Sequence, residues 1–228
     1  MTCSADDAKR LHQLYGVELA KFIVIPNGVD VETISFVLPK QRRLNKRKLG
    51  LENEKTVLFM GSWHPPNLEA ANKVLEIAKA LPNIKFFLMG SQCSAFNGRV
   101  IPDNVGLLGV LEETEKCIIF GIVDLALNPM LSGSGTNLKM FDYMAAGIPV
   151  ISNEFGVRGI DFTRDTEIIV ANIEDMPKAI TDVFEKSDEE LTVISVAARQ
   201  LVEEKYDWKT ISEVVRIELE SRLRRSIV

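Results

Sequence analysis

The chain has 228 residues, 46% of them hydrophobic, enough to fill a sizeable core, and this excludes a disordered tail or a peptide-sized module. Its formal charge is -5 with a pI near 5.3, so a nucleic-acid partner is not expected; the basic clusters "KQRRLNKRK" (40–48) and "RLRR" (222–225) read as solvated charge near helix ends, with a polyanion or membrane-surface contact left open. Cys3, Cys93 and Cys117 have no CxxC pairing and no metal-ligand spacing to a histidine, which points to reduced thiols in a cytosolic protein and to no metal site.

In chain order, "MTCSADDAKRLHQLYG" (1–16) predicts a polar amphipathic helix without the apolar region of a signal peptide, and nowhere do about 18 apolar residues run together. "KFIVIPNGVD" (21–30) is a short apolar run closed by a Pro-Asn-Gly turn, followed by a charged connector. From Lys55 the alternation is regular. Strand "KTVLFMG" (55–61) leads into helix "PPNLEAANKVLEIAKALP" (65–82), strand "IKFFLMG" (84–90) and strand "NVGLLGVL" (104–111). Then come helix "EETEKCIIFG" (112–121), strand "IVDLALNP" (122–129), helix "NLKMFDYMAAG" (137–147) and strand "IPVIS" (148–152). "EIIV" (167–170) adds a strand, and the helices "EDMPKAITDVFEKS" and "DEELTVISVAARQLVEEKY" follow. Continuous apolar strands alternating with helices imply an α/β fold, a doubly wound parallel sheet with helices on both faces, here with a helical C-terminal tail.

In such sheets ligands sit outside the carboxyl ends of the strands, so three loops compete: "GSWHPPN" (61–67), "GSQCSAFNGRVIPDN" (90–104) and "NPMLSGSGTN" (128–137). "GSGTN" follows a strand and opens a helix, where backbone N–H groups lack intrahelical partners and the dipole is positive; Gly133 and Gly135 let an anion approach the backbone. Lys139 in the first helical turn is unfavourable to the dipole unless an anion partners it, and Asp142 lies three residues on. These residues suit a ligand with a diphosphate and a sugar diol; the plainer reading is a capped turn with an i,i+3 surface ion pair. The P-loop pattern is absent, and the dinucleotide fingerprint fails where Leu138 occupies its third glycine position.

Taken together, "VIPNGVD" (24–30), "VLFMGSWHPPNLEAANKVL" (57–75), "NVGLLGVL" (104–111) and "NPMLSGSGTNLKMFDYMAAGIPVISNEFGVRGI" (128–160) resemble the C-terminal nucleotide-sugar-binding domain of GT-B retaining glycosyltransferases, the group that includes enzymes of cell-surface polysaccharide synthesis. The resemblance implies a Rossmann-like domain, one half of a GT-B fold, over 31–228, with 1–30 as a remnant helix and interdomain crossover strand. It implies a donor diphosphate held by Gly133, Ser134, Gly135, Thr136, Asn137 and Lys139, and a ribose bound by Asp142. The base or crevice falls to Gly61, Ser62, His64, Gly109 and Val110, although His64 beside two prolines also reads as a plain turn residue.

The implied donor is a UDP- or GDP-sugar, with no cofactor and no metal, in a cytoplasmic protein at or near the inner face of the membrane. Where many members carry a first acid near the donor sugar, this chain has Ser134; the ribose acid is Asp142 rather than Glu; and the arginine common after the first strand is replaced by "GSWHPPN". An N-terminal acceptor-binding domain, supplied in cis or trans, is expected to complete the cleft. A catalytically silent nucleotide-binding or regulatory module is the alternative, and an NAD-linked enzyme a third reading.

Overall fold

The computed structural model describes residues 1–226; the side chain of Arg225 in the cluster 222–225, and the last two residues of the span 31–228, lie outside the described residues. The regular elements begin with helix α1 (Ala5–Tyr15), where Ser4 accepts from the Asp7 amide as N-cap and Gly16 closes the end in a left-handed conformation. Residues 21–30, read as a crossover strand, form no strand. Their pairing is limited to isolated bridges, Thr2 with Val24 and Val29 with Asp207, because Pro26 offers no N–H and the Asn27-Gly28 turn follows at once.

The charged connector holds a helix that the sequence reading missed, α2 (Pro39–Lys48), started by Pro39 at its first turn. Its cluster of charge is not all solvated: Arg42 and Lys46 are buried, at 1% and 3% exposure. Lys46 pairs with Asp124 at 2.5 Å and also donates to the Glu54 carbonyl. The Arg42 guanidinium donates to the carbonyls of Phe120, Val123 (2.9 Å) and Ala146 (2.5 Å). Burial drives its pKa down to about 9, partly offset by the nearby Asp124 carboxylate.

From Lys55 the expected alternation holds. Strands β1 (Lys55–Met60), β2 (Ile84–Met89), β3 (Val105–Gly109), β4 (Leu125–Asn128), β5 (Val150–Ser152) and β6 (Ile169–Val170) form, among the described residues, one six-stranded sheet in the order β3-β2-β1-β4-β5-β6. Every neighbouring pair is parallel. The connecting helices are α3 (Pro65–Ala80), α4 (Glu113–Phe120), α5 (Lys139–Ala145) and α6 (Met176–Glu185), followed by α7 (Asp188–Lys205) and α8 (Trp208–Ser226). Ser187 and Glu190 form a capping box at the start of α7. No helix among the described residues is long and apolar enough to cross a membrane.

Period-two alternation divides the core. Val57, Phe59, Leu125, Leu127 and Ile151 face one side, where they pack with Ala70, Val74 and Ala78 of α3 and Met176, Ile180 and Val183 of α6. Leu58, Ala126 and Val150 face the other, against Met140, Phe141 and Met144 of α5 and Ala198, Leu201 and Val202 of α7. With both faces covered, strands can be apolar at every position, which is why they read as unbroken hydrophobic runs.

Replacing Arg42 by Ala leaves the buried carbonyls of Phe120 and Val123 without this donor, while that of Ala146 keeps only its bond from the Val37 amide. At about 1–3 kcal/mol for each orphaned group, the loss outweighs the desolvation that the charge no longer suffers, and the variant is expected to be destabilised by about 3 kcal/mol or more. Urea unfolding checks this; an unchanged midpoint would show the guanidinium to be dispensable.

Candidate functional site

The strand order reverses between β1 and β4. Loops leaving the two strands therefore part to opposite faces and open a crevice at their carboxyl ends. A cleft of about 570 Å³ lies there. It brings together Gly61, Ser62 and His64 from the loop after β1, Val110 from the end of β3, and Gly133, Ser134, Thr136, Asn137, Lys139 and Asp142 from the glycine loop and α5. Gly109 and Gly135 do not line it. Gly109 turns the chain at φ 68° and its carbonyl accepts from the Gly90 amide at 2.6 Å, while Gly135, at φ 67°, shapes the loop from outside.

The glycine loop is not the opening turn of a helix. Helix α5 starts at Lys139, two residues later than expected, and Leu138 in the N-cap position gives no side-chain cap. Residues 133–137 are therefore irregular backbone, and the seven-residue helix contributes little of the dipole invoked from sequence. Asn137 is also committed elsewhere, since its amide donates to the Gly156 carbonyl at 2.7 Å.

Lys139 points down into the cleft. Its Nζ donates to Asn67 Oδ1 at 2.8 Å, contacts Met130 Sδ at 3.8 Å and sits 4.3 Å from the centre of the Phe59 ring. Asn67 in turn donates to Ser62 Oγ at 3.1 Å. Lys139 forms no ion pair among the described residues, so the plainer reading of an i,i+3 pair with Asp142 does not hold. Desolvation without a compensating carboxylate lowers its pKa to about 7.

Asp142 pairs instead with Lys116 of α4, at 3.2 Å. Burial pushes its carboxyl above the ordinary range, and Lys116 works against that shift. Lys116 and Asn67 were not singled out from sequence, nor was Arg158, which enters the cleft from the segment after β5. Among the described lining residues, three permanent or titratable cations of lysine and arginine, Lys116, Lys139 and Arg158, face the single carboxylate of Asp142. His64 is exposed and its side chain does not cap α3. A basic crevice over a half-apolar floor is suited to a polyanionic small molecule.

The sequence pattern of the family described as "Glycosyl transferases group 1" matches residues 54–186, more than half of the chain. The chain belongs to that family. The match spans the cleft from β1 to the end of α6. Curated relatives include the D-inositol 3-phosphate glycosyltransferase of Mycobacterium marinum, 29% identical over 165 residues, which cover 66% of this chain and 34% of the relative. The chain thus corresponds to about a third of the length of the curated relatives it matches.

Several solved structures share the fold at low identity. The structure of HepE from Anabaena in complex with UDP and glucose superimposes with a TM-score of 0.75 at 16% identity, over 96% of this chain and 62% of that one. Sucrose-phosphate synthase from Thermosynechococcus elongatus gives 0.77 at 16%, over 99% and 58%. A C-terminal domain of a glycosyl transferase group 1 family protein from Francisella tularensis gives 0.57 at 13%, over 79% of this chain and all of that one. The likeness is one of fold, a parallel sheet with helices on both faces, and it takes in about three fifths of the first two chains and all of the third.

A lysine with a folded pKa near 7 and an unfolded one near 10.5 binds fewer protons folded than unfolded between those values, so its burden on stability is full below about pH 7 and fades as pH rises towards 10.5. Lys139→Met should therefore be more stable than the parent at pH 6, with the gap closing by pH 10. Chemical denaturation across that range tests it; a gap independent of pH would place the lysine in contact with water instead.

Proposed function

We propose that this chain is the donor-binding domain of a glycosyltransferase that moves a sugar from a nucleoside diphosphate sugar to an acceptor, acting with an acceptor-binding domain in cis or trans. The observation that carries the reading is Lys139: a cation held in a desolvated cleft against a neutral amide rather than a carboxylate, so that the missing counter-charge must come from the ligand. In this reading Lys139 and the backbone amides of Gly133, Ser134 and Thr136 take the diphosphate, Asp142, steadied by Lys116, accepts the ribose hydroxyls, and Val110 offers an apolar rim to the base. Gly61 and Ser62 lie across the cleft, and Asn67 releases Lys139 to the phosphate.

When the glycosidic bond to the diphosphate breaks, negative charge grows on the leaving oxygen. Lys139 opposes that charge in a poorly solvated place, where such groups contribute a few kcal/mol each. Transfer with retention follows from the family resemblance, as does a role in cell-surface polysaccharide or glycoconjugate synthesis at the cytoplasmic side of the membrane. Ser134 stands where the resemblance expects an acid, so the donor sugar is not held there by a carboxylate. The exposed Trp63, Leu131 and Leu138 near the cleft give the acceptor-binding domain an apolar surface to cover.

UDP, GDP, ADP and their sugars should include at least one that raises thermal stability; at 100 times its dissociation constant a ligand adds about 2.7 kcal/mol. A response to nicotinamide dinucleotides alone would sink the reading. Lys139→Ala should remove the response, while Asp142→Asn should narrow the preference for a ribonucleotide over its deoxy counterpart. Binding should also raise the lysine's pKa from about 7, so at pH 8 the parent should take up protons and Lys139→Ala should not. Calorimetry in buffers of different ionisation enthalpy reads this directly, and equal uptake by both proteins would move the proton to another group.

A further inference from the structure

The segment 153–159, "NEFGVRG", is strapped to the glycine loop at several points. Asn153 Nδ2 donates to the Met130 carbonyl at 2.8 Å, and the Gly156 carbonyl accepts from Asn128 at 3.1 Å and Asn137 at 2.7 Å. The approach is close enough to demand glycine: a Cβ at Gly156 would lie 2.2 Å from Ser152 Oγ, and one at Gly159, where φ is +75°, would lie 2.6 Å from Thr136 Oγ1. Arg158 sits between these two fixed points.

Its Nη1 donates to the Phe155 carbonyl at 2.8 Å, and its guanidinium lies 4.2 Å from the centre of the Phe155 ring. Its Nη2 faces the glycine loop, 3.3 Å from where a Cβ on Gly133 would stand, with Pro66 at 3.4 Å from the same point. Arg158 forms no ion pair among the described residues, although Glu154 four positions earlier is spent on Arg164. A planar fork is thus oriented, partly sheltered and left without a counter-charge beside the loop on which the diphosphate is proposed to rest. One lysine cannot balance a diphosphate, whose charge exceeds one unit, and a guanidinium suits phosphate oxygens because it offers parallel N–H donors.

Resting on the donor-binding reading above, we infer that Arg158 is a second phosphate ligand, its Nη2 edge hydrogen-bonding the terminal phosphate of a nucleoside diphosphate while Lys139 takes the same group from the floor of the cleft. The fork is already held by Phe155, so little rotamer freedom is lost on binding.

The test compares the parent, Arg158→Gln and Arg158→Lys in calorimetric titrations with the best-binding of UDP, GDP and ADP, its monophosphate and its nucleoside. Arg158→Gln should weaken the diphosphate by about tenfold or more and leave the monophosphate and nucleoside within about twofold, with Arg158→Lys in between. A loss shared equally by all three ligands would mean that the arginine only shapes the loop, and an unchanged diphosphate affinity would exclude the contact; either result overturns the inference. If the diphosphate binds in a Lys139-dependent manner but ignores Arg158, the inference alone fails, whereas a parent that binds no diphosphate removes the donor reading as well. Unaltered circular dichroism and thermal midpoints of the ligand-free variants show that the comparison is between folded proteins.

Discussion

A buried guanidinium holds the site together from behind. Helices α4 and α5 each end in carbonyls that no later turn can satisfy, and Arg42 donates to one from each end, Phe120 and Ala146, and to Val123 between them. Arg199 of α7 reinforces the second end through the Ala145 carbonyl at 2.7 Å. The cleft-facing side chains of the same helices are Lys116, Lys139 and Asp142. The relative position of those three side chains depends on a contact made about one to two turns away along the same short helices.

Charge in the cleft is arranged rather than merely present. Each cation has a fixed perch: Lys116 on Asp142, Lys139 on Asn67 and Phe59, Arg158 on Phe155. Only the first of the three perches is a carboxylate. A lysine and an arginine are thereby kept oriented by neutral oxygens and aromatic faces that hold them weakly, so that an anion entering the cleft would have no ion pair of theirs to break. The cost appears as a depressed lysine pKa, a form of stability given up at this position.

Much of this was legible in sequence, for identifiable reasons. The strands from Lys55 onward are apolar at every position because both sheet faces are covered, and prolines mark the first turns of α3 and α6. The glycine pair and Lys139 stood out because their chemistry is local. Helix α2 was hidden because its buried residues beyond Pro39 are Arg42 and Lys46, which carry no hydrophobic periodicity; the one available signal was Pro39 ahead of a run of helix formers. The pairing of Asp142 with Lys116 joins residues from different helices, so no i,i+3 or i,i+4 rule reaches it. Arg158 lay in a segment that entered only as the end of the stretch carrying the family resemblance, and the glycines on either side of it are what bring the arginine to the cleft.

The sheet order carries a consequence for how the molecule comes apart. Strands β1 to β3 and their helices form one run that is local in sequence, and β4 to β6 another; the two meet through the short register of Val57 with Leu125 and Leu58 with Ala126. Joining them closes a long loop, an entropic cost met before the seam returns any contact energy. The cleft straddles this seam, with Ser62 and Asn67 on one side and Gly133 and Lys139 on the other. A molecule seated there is a clasp between two halves that pair only briefly, so occupancy should lengthen the lifetime of the folded chain as well as deepen its equilibrium stability.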